Sequence, residues 1–512
     1  MPEFALALLF VAALLAAVNW RMGLMLCVLT AVLQDPLRKL TPNEPAYFIL
    51  FAGVVFAAAV LGALMTGKRL LPSAVKGWRP RMGKPFTLFL VLVVFQAVHS
   101  FVRFGSPQIP VIGLISYLAP VPAFVFAYHF ALRKGLAGIR AWMWFYVLAA
   151  SVALSGVYLE YMGLNWKALG EVGAGIVLYD VGGILEVYSG FFRSSEVAAW
   201  HTAAISCFLF ILLIGRRFTL PRLVMTVALV GLLVSLGMLT GRRKMLVAIT
   251  VFVCAYFALV AWFQKRSTRP AVFAATAGVL AYVAAVGMLT PDGGESSTKN
   301  LKLDPSERFQ HYTARNQSVF ADVPKRFDQL GIQPVMWAID RYGVLGAGLG
   351  TGSQGVQHVE AAAEINRGAA EGGLGKITME LGVPGLLIVP WLLVAFARYV
   401  RRLLTAVTRV SRQHARFSYG LVAFLIANVA VFTVATQVFG DVFVLLMIGW
   451  TVGFLLAMPE LAARDVTLRQ QRAAQRNQQR TVRPEPVEAH SSFDKLRTNE
   501  LQTSPGRINW QR

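Results

Sequence analysis

Long apolar runs, separated by short polar breaks, recur along most of the chain. Thirteen can be drawn, at about 4–18, 22–33, 46–65, 86–101, 111–132, 141–162, 198–215, 223–239, 245–263, 271–289, 376–397, 418–436 and 442–458. Most are near the roughly 20 residues that a helix needs to cross a bilayer. A transmembrane β-barrel would instead show short alternating segments. The pattern predicts an all-α, polytopic membrane protein with 12–13 transmembrane helices and a large outer-face loop of short helices. The count stays open because only Asn19-Trp20-Arg21 separates the first two runs. They are two short spans or one long, broken one, and the side of the N-terminus is open with them.

Charge orders the runs into a topology, because cytoplasmic loops carry an excess of Lys and Arg. One basic loop holds Lys68, Arg69, Lys76, Arg79, Arg81 and Lys84, and a second holds Arg133, Lys134 and Arg140. A third holds Arg216, Arg217 and Arg222, and a fourth Lys265, Arg266 and Arg269. The fifth holds Arg398, Arg401, Arg402, Arg409, Arg412 and Arg416. They follow every second run, as alternating spans require. Two long segments, about 163–197 and 290–375, then fall outside. Residues 1–458 form the predicted membrane domain, and 459–512 a basic cytoplasmic tail, helical at first and then disordered.

Composition narrows the class further. Hydrophobic residues make up 56% of the 512 and charged ones 15%, more apolar and less charged than a soluble domain. The net charge of +23 sits mainly in the short loops, which is topology rather than a nucleic-acid surface. Tail arginines are available to anionic headgroups, or are simply solvated. Cys27, Cys207 and Cys254 lie inside apolar runs, so neither a disulfide framework nor a zinc site is indicated. The first run has an acidic start at Glu3 and a second run directly after it, so it is read as retained rather than as a signal peptide.

Against this map, Arg242-Arg243-Lys244 stands out. One span separates it from each neighbouring basic loop, so it falls outside, against the charge rule. Such a cluster suits an anionic ligand such as a diphosphate, which Arg binds bidentately. The alternative is snorkelling to outer headgroups. Glu371 lies where the long outer loop re-enters the membrane; a partly desolvated carboxylate there would gain proton affinity and serve as a base. It would otherwise pair with Lys376 or another cation. Arg193 is a second outer cation. His201, at the start of the next span, is a candidate ligand or acid/base group, or an interhelical packing histidine. Gly350, Gly352 and Gly355 fit G-x-G-x-x-G, but no strand or βαβ unit surrounds them, so the glycines are read as serving tight turns or close backbone approach.

Four stretches together resemble the O-antigen ligase and polymerase superfamily of bacterial envelope glycosyltransferases. They are SGFFRSSEVAAWH (189–201), LTGRRKMLVAI (239–249), GVLGAGLGTG (343–352) and EGGLGKITMELGVPGLL (371–387). Each is short, and the resemblance lies in the set, its order and its side; it covers roughly 1–458. One departure is that Glu371-Gly372 stands where the family commonly has His-Asn, nine residues before the Glu of its E-L-G stretch, here Glu380.

The resemblance implies a glycosyltransferase of the bacterial inner membrane with its active site facing the periplasm. It implies an undecaprenyl-diphosphate-linked glycan as donor and a glycan hydroxyl as acceptor, with inverting chemistry and neither metal nor cofactor. Arg242 and Arg243, with Lys244, would hold the diphosphate, and Glu371 would accept the acceptor's proton. Arg193, Lys376 and His201 complete the candidate substrate contacts. Expected partners are membrane lipids and the flippase and chain-length regulator of the same pathway, and no nucleic acid. Polymerisation of repeat units in exopolysaccharide or O-antigen biosynthesis is the leading expectation. Ligation to lipid A-core or another acceptor is the alternative. A glycan transporter fits less well, since charged residues are scarce within the spans and no internal repeat is evident. A non-enzymatic scaffold leaves the outer cations unexplained.

Overall fold

The computed structural model describes residues 2–66, 79–172, 178–180, 183–185, 187–214, 219–242, 244–264, 328–353 and 371–481, with Gly355, Val356, Val359, Ala361 and Ile365 between the last two. It forms two units, Met1–Arg464 and Asp465–Arg512. In the first, helices follow one another as α1 (Pro2–Val18), α2 (Gly23–Leu40), α3 (Phe51–Met65), α4 (Arg79–Phe104), α5 (Gln108–Leu118) and α6 (Pro120–Tyr161). Then come α7 (Ser195–Ile214), α8 (Leu220–Met238), α9 (Lys244–Phe263), α10 (Gln333–Tyr342), α11 (Gly373–Val410), α12 (Arg412–Val434) and α13 (Val442–Thr481). A two-stranded antiparallel ribbon, β1 (Leu178–Asp180) with β2 (Gly183–Leu185), lies in the connection between α6 and α7. In the second unit, the described residues continue α13 from Asp465 to Thr481.

The chain is an all-α polytopic membrane protein. Among the described residues, nine helices are long and apolar enough to cross a membrane, or ten with the α1–α2 pair, whose axes bend by 116°. Twelve of the thirteen apolar runs lie on helices; the thirteenth, 271–289, is outside the described residues. Also outside are the candidate helix Asp304–Phe320, Arg243, and most of the basic loops around 68–76, 216–217 and 265–269. Large apolar side chains point outward along the helices, including Phe10, Val91, Val98, Leu148, Val227 and Leu387. Water would penalise that surface; lipid tails do not.

The long stretch 108–161 contains two of the predicted spans. Straight, α6 alone would measure ~63 Å, about twice the hydrocarbon thickness. Gly135 breaks its helical torsions with φ 67° and ψ −174°, a region open to glycine. Phe454 touches both Phe130 (6.2 Å between ring centres) and Trp142 (5.1 Å). Residues twelve apart on a straight helix would stand ~18 Å apart. The chain therefore turns back at the basic Arg133-Lys134 break, as two spans.

Helix α7 occupies the centre: every residue but Leu213 is buried. A helix apolar on all sides is one surrounded by other helices. Contacts between distant segments sort the loops into two ends of the bundle. At one end Arg193 meets Asp35 and Asp441, Lys244 meets Gln437, and Thr436 meets Glu371. At the other, Tyr128 bonds Glu460, Arg464 bonds the carbonyl of Leu132, and Arg140 stacks on Phe417. The first set comes from segments that the charge pattern assigns to one face, and the second from its basic loops.

Candidate functional site

At the end of the bundle opposite the basic loops, buried charges organise an irregular backbone. Residues 187–194 have no regular structure, so their polar groups need other partners. Lys39 Nζ donates to the carbonyls of Gly190 (2.7 Å) and Phe192 (2.6 Å). Glu160 accepts from the N–H groups of Ser189 (3.0 Å) and Gly190 (2.7 Å). Asp35 Oδ2 accepts from the N–H of Arg193 (3.0 Å), and Glu171 from that of Ser195 (2.8 Å).

The Arg193 side chain is tied inside this scaffold. Its Nη1 lies 2.5 Å from Asp441 Oδ2 and 3.8 Å from Asp35 Oδ1. Asp441 Oδ1 in turn accepts from the N–H groups of Phe443 (2.7 Å) and Val444 (3.3 Å), capping α13. Burial alone would weaken the guanidinium's hold on its proton, but Asp441 and Asp35 outweigh it and raise the pKa above the usual arginine value. Sequence suggested a substrate contact; the structure engages Arg193 with two carboxylates, joining α2, the 187–194 loop and α13.

The turn between α8 and α9 carries the second cluster. Arg242 Nε donates to Ser195 Oγ (3.1 Å), and Nη1 lies 3.1 Å from Glu196 Oε1. The same Glu196 oxygen lies 3.2 Å from Lys244 Nζ, which also donates to Gln437 Oε1 (3.0 Å). The side chains of Arg242 and Lys244 are 11% and 15% exposed, and that of Glu196 7%. One carboxylate therefore faces two cations, and Arg242 Nη2 is buried with no acceptor. A buried unsatisfied donor costs about 1–3 kcal/mol, and more when charged. An anionic oxygen would satisfy it. Arg243 lies outside the described residues.

Glu371 and Lys376 sit at the start of α11. The Glu371 carbonyl accepts from Thr436 N–H (2.9 Å), but its side chain is exposed. The desolvation expected of its carboxylate is absent, because residue 371 precedes the buried turn rather than forming part of it. Lys376 is the reverse: it is 4% exposed, and its ammonium has no partner among the described residues. His201 lies within the core, where Nδ1 is 2.8 Å from the Tyr146 hydroxyl and the ring stacks on Phe192 at 4.6 Å.

The Gly-rich stretch packs against helices. A Cβ on Gly350 would lie 2.0 Å from the Ile109 carbonyl oxygen, so only glycine permits this approach. Arg193, Arg242 and Lys244 are linked through residues 195–196 and the 435–441 turn, and the backbone of Glu371 joins that turn. Lys376 follows on the same helix, whereas His201 lies nearly two turns into α7, among aromatic rings. Sequence reasoning left Glu196 and Gln437 without a role in a site. It passed over Asp35, Lys39 and Asp441, whose only signal was charge at the edge of an apolar run. No family model matches the chain, and no curated protein matches it.

Proposed function

We propose that this protein is a glycosyltransferase of the bacterial inner membrane that polymerises undecaprenyl-diphosphate-linked repeat units at the periplasmic face. The observation that carries the reading is the cation pair Arg242 and Lys244. It is largely shielded from solvent, shares a single carboxylate, and keeps the Arg242 Nη2 donor open. It lies at the end of the bundle opposite the basic loops, the side on which lipid-linked repeat units would be joined.

In this reading Arg242 and Lys244 bind the donor's diphosphate. They stabilise the charge that grows on it as the bond between the anomeric carbon and the phosphate oxygen breaks. An acceptor hydroxyl forms the new glycosidic bond from the opposite face of the sugar, and its proton passes to Glu371. The exposure of Glu371 supports access for a bulky acceptor. Lys376 supplies a further positive charge near the donor. Arg193 and His201 support the site by holding loop and helices rather than by touching substrate. The flippase and the chain-length regulator of the pathway would be its partners.

The test is the glycan ladder made by cells that depend on this protein. Arg242→Ala and Glu371→Ala proteins, present at wild-type level, are expected to leave single repeat units. Long chains retained on the lipid carrier would mean a ligase instead. A full-length ladder from both variants would remove the enzymatic reading.

A further inference from the structure

The Gly-rich stretch and the first turns of α11 hold one another. Ala347 N–H donates to the Met379 carbonyl (2.7 Å) and Leu349 N–H to that of Gln96 (3.1 Å). Gln96 Nε2 donates back to the Leu345 carbonyl (2.9 Å). Glu380 is fully buried beside them. Its Oε1 accepts from Gly352 N–H (2.9 Å) and from Ser353 Oγ (3.1 Å). Ser353 Oγ lies in turn 3.4 Å from Ser116 Oγ on α5. Glu380 Oε2 and the Tyr117 hydroxyl are both buried, and the two side chains lie close enough to interact.

Gly382 breaks the helical torsions of α11 at φ 67° and ψ −169°. Residues 373–381 are therefore a short helix fixed at both ends. Thr436 holds its start through the Glu371 carbonyl, and the 346–353 stretch holds its end through Met379 and Glu380. Lys376 rides on this helix one turn before Glu380, buried and without a partner among the described residues. Irregular backbone among membrane helices persists only where protein groups satisfy it, and a carboxylate is among the strongest acceptors for that purpose.

We propose that Glu380 is a positioning residue: it fastens the 346–353 stretch to the 373–381 helix and so fixes Lys376 for an anionic, phosphate-bearing donor. The second half rests on the functional reading above; the clamp itself does not. Glutamine suffices for the clamp, since its amide oxygen can accept the same two bonds. The experiment measures amide exchange in the purified full-length protein and the glycan ladder in cells, for wild type, Glu380→Ala, Glu380→Gln, Ser353→Ala and Arg242→Ala.

Glu380→Ala is expected to speed exchange in 346–353 about tenfold or more, from the loss of bonds to a buried acceptor, and to shorten the ladder. Ser353→Ala should do so more weakly, and remains informative if Glu380→Ala does not fold. Glu380→Gln should restore both readouts. Unchanged exchange in Ser353→Ala and in any folded Glu380→Ala overturns the clamp, whatever the ladder does. Faster exchange with a full ladder, while Arg242→Ala abolishes the ladder, overturns the positioning of Lys376. A full ladder from Arg242→Ala as well counts against the functional reading and leaves the exchange result to decide the clamp.

Discussion

Asp441 performs two tasks that substitution can separate. One oxygen caps α13 through Phe443 and Val444, and the other meets Arg193 at 2.5 Å. Asparagine caps helices about as well as aspartate, but it removes the charge opposite Arg193. The side chains of Arg193 and Asp441 are 11% and 3% exposed, so solvent screens little of the loss. Asp35, at 3.8 Å, remains as a weaker counter-ion. Breaking a buried pair by removing one partner costs about 3–5 kcal/mol, so Asp441→Asn should fall at the lower end of that range. Asp441→Ala should lose about 1 kcal/mol more, the value of the cap. Reversible unfolding of the purified protein in mixed detergent micelles measures both. The Arg193→Ala, Asp441→Ala double variant should lose less stability than the sum of the two single losses, since the two residues share one interaction. Asp441→Asn within about 0.5 kcal/mol of wild type would refute the tie, because changes of that size are typical of surface sites.

The remaining predictions concern the site and its supports. Arg242→Ala should lower the turnover of a lipid-diphosphate-linked donor about 10²–10³-fold, by analogy with the loss of one preorganised donor, as read in membranes supplied with that donor. Glu196→Gln should leave both cations in place but weaken their restraint; an increase in binding of undecaprenyl diphosphate, followed by calorimetry, is the expected direction. His201→Phe should destabilise the protein by about 1–3 kcal/mol, through the stranded Tyr146 hydroxyl, while leaving the ladder's chain length intact. Gly350→Ala should reduce the folded yield, because its Cβ would collide with the Ile109 carbonyl; fluorescence-detected size exclusion reads this directly.

Spans were legible because they depend on composition over many residues, and twelve of the thirteen runs lie on helices. The break at Gly135 was legible as a basic interruption, although no apolar pattern locates the turn to one residue. The partners of Arg193, Arg242 and Lys244 were not legible. Asp35 and Asp441 are 158 and 248 residues from Arg193 in sequence, and no periodicity links such positions. Asp35 and Lys39 fall beyond the apolar run 22–33, yet α2 continues through Pro36 to Leu40 and carries both into the core. The solvation of Glu371 depends on where helix α11 begins against Thr436, which only the tertiary fold decides.

Glu196 sits in the first turn of α7, and α7 is enclosed by other helices along almost its whole length. The carboxylate is thus a resident counter-ion that cannot drift away when a ligand arrives. An anion reaching Arg242 through Nη2 enters without displacing it, whereas one seeking Nη1 or Lys244 must compete with it. A cation pair already half neutralised releases a charged leaving group more readily than a bare one. The fixed anion at the tip of the central helix would therefore limit product retention as much as it orients the arginine.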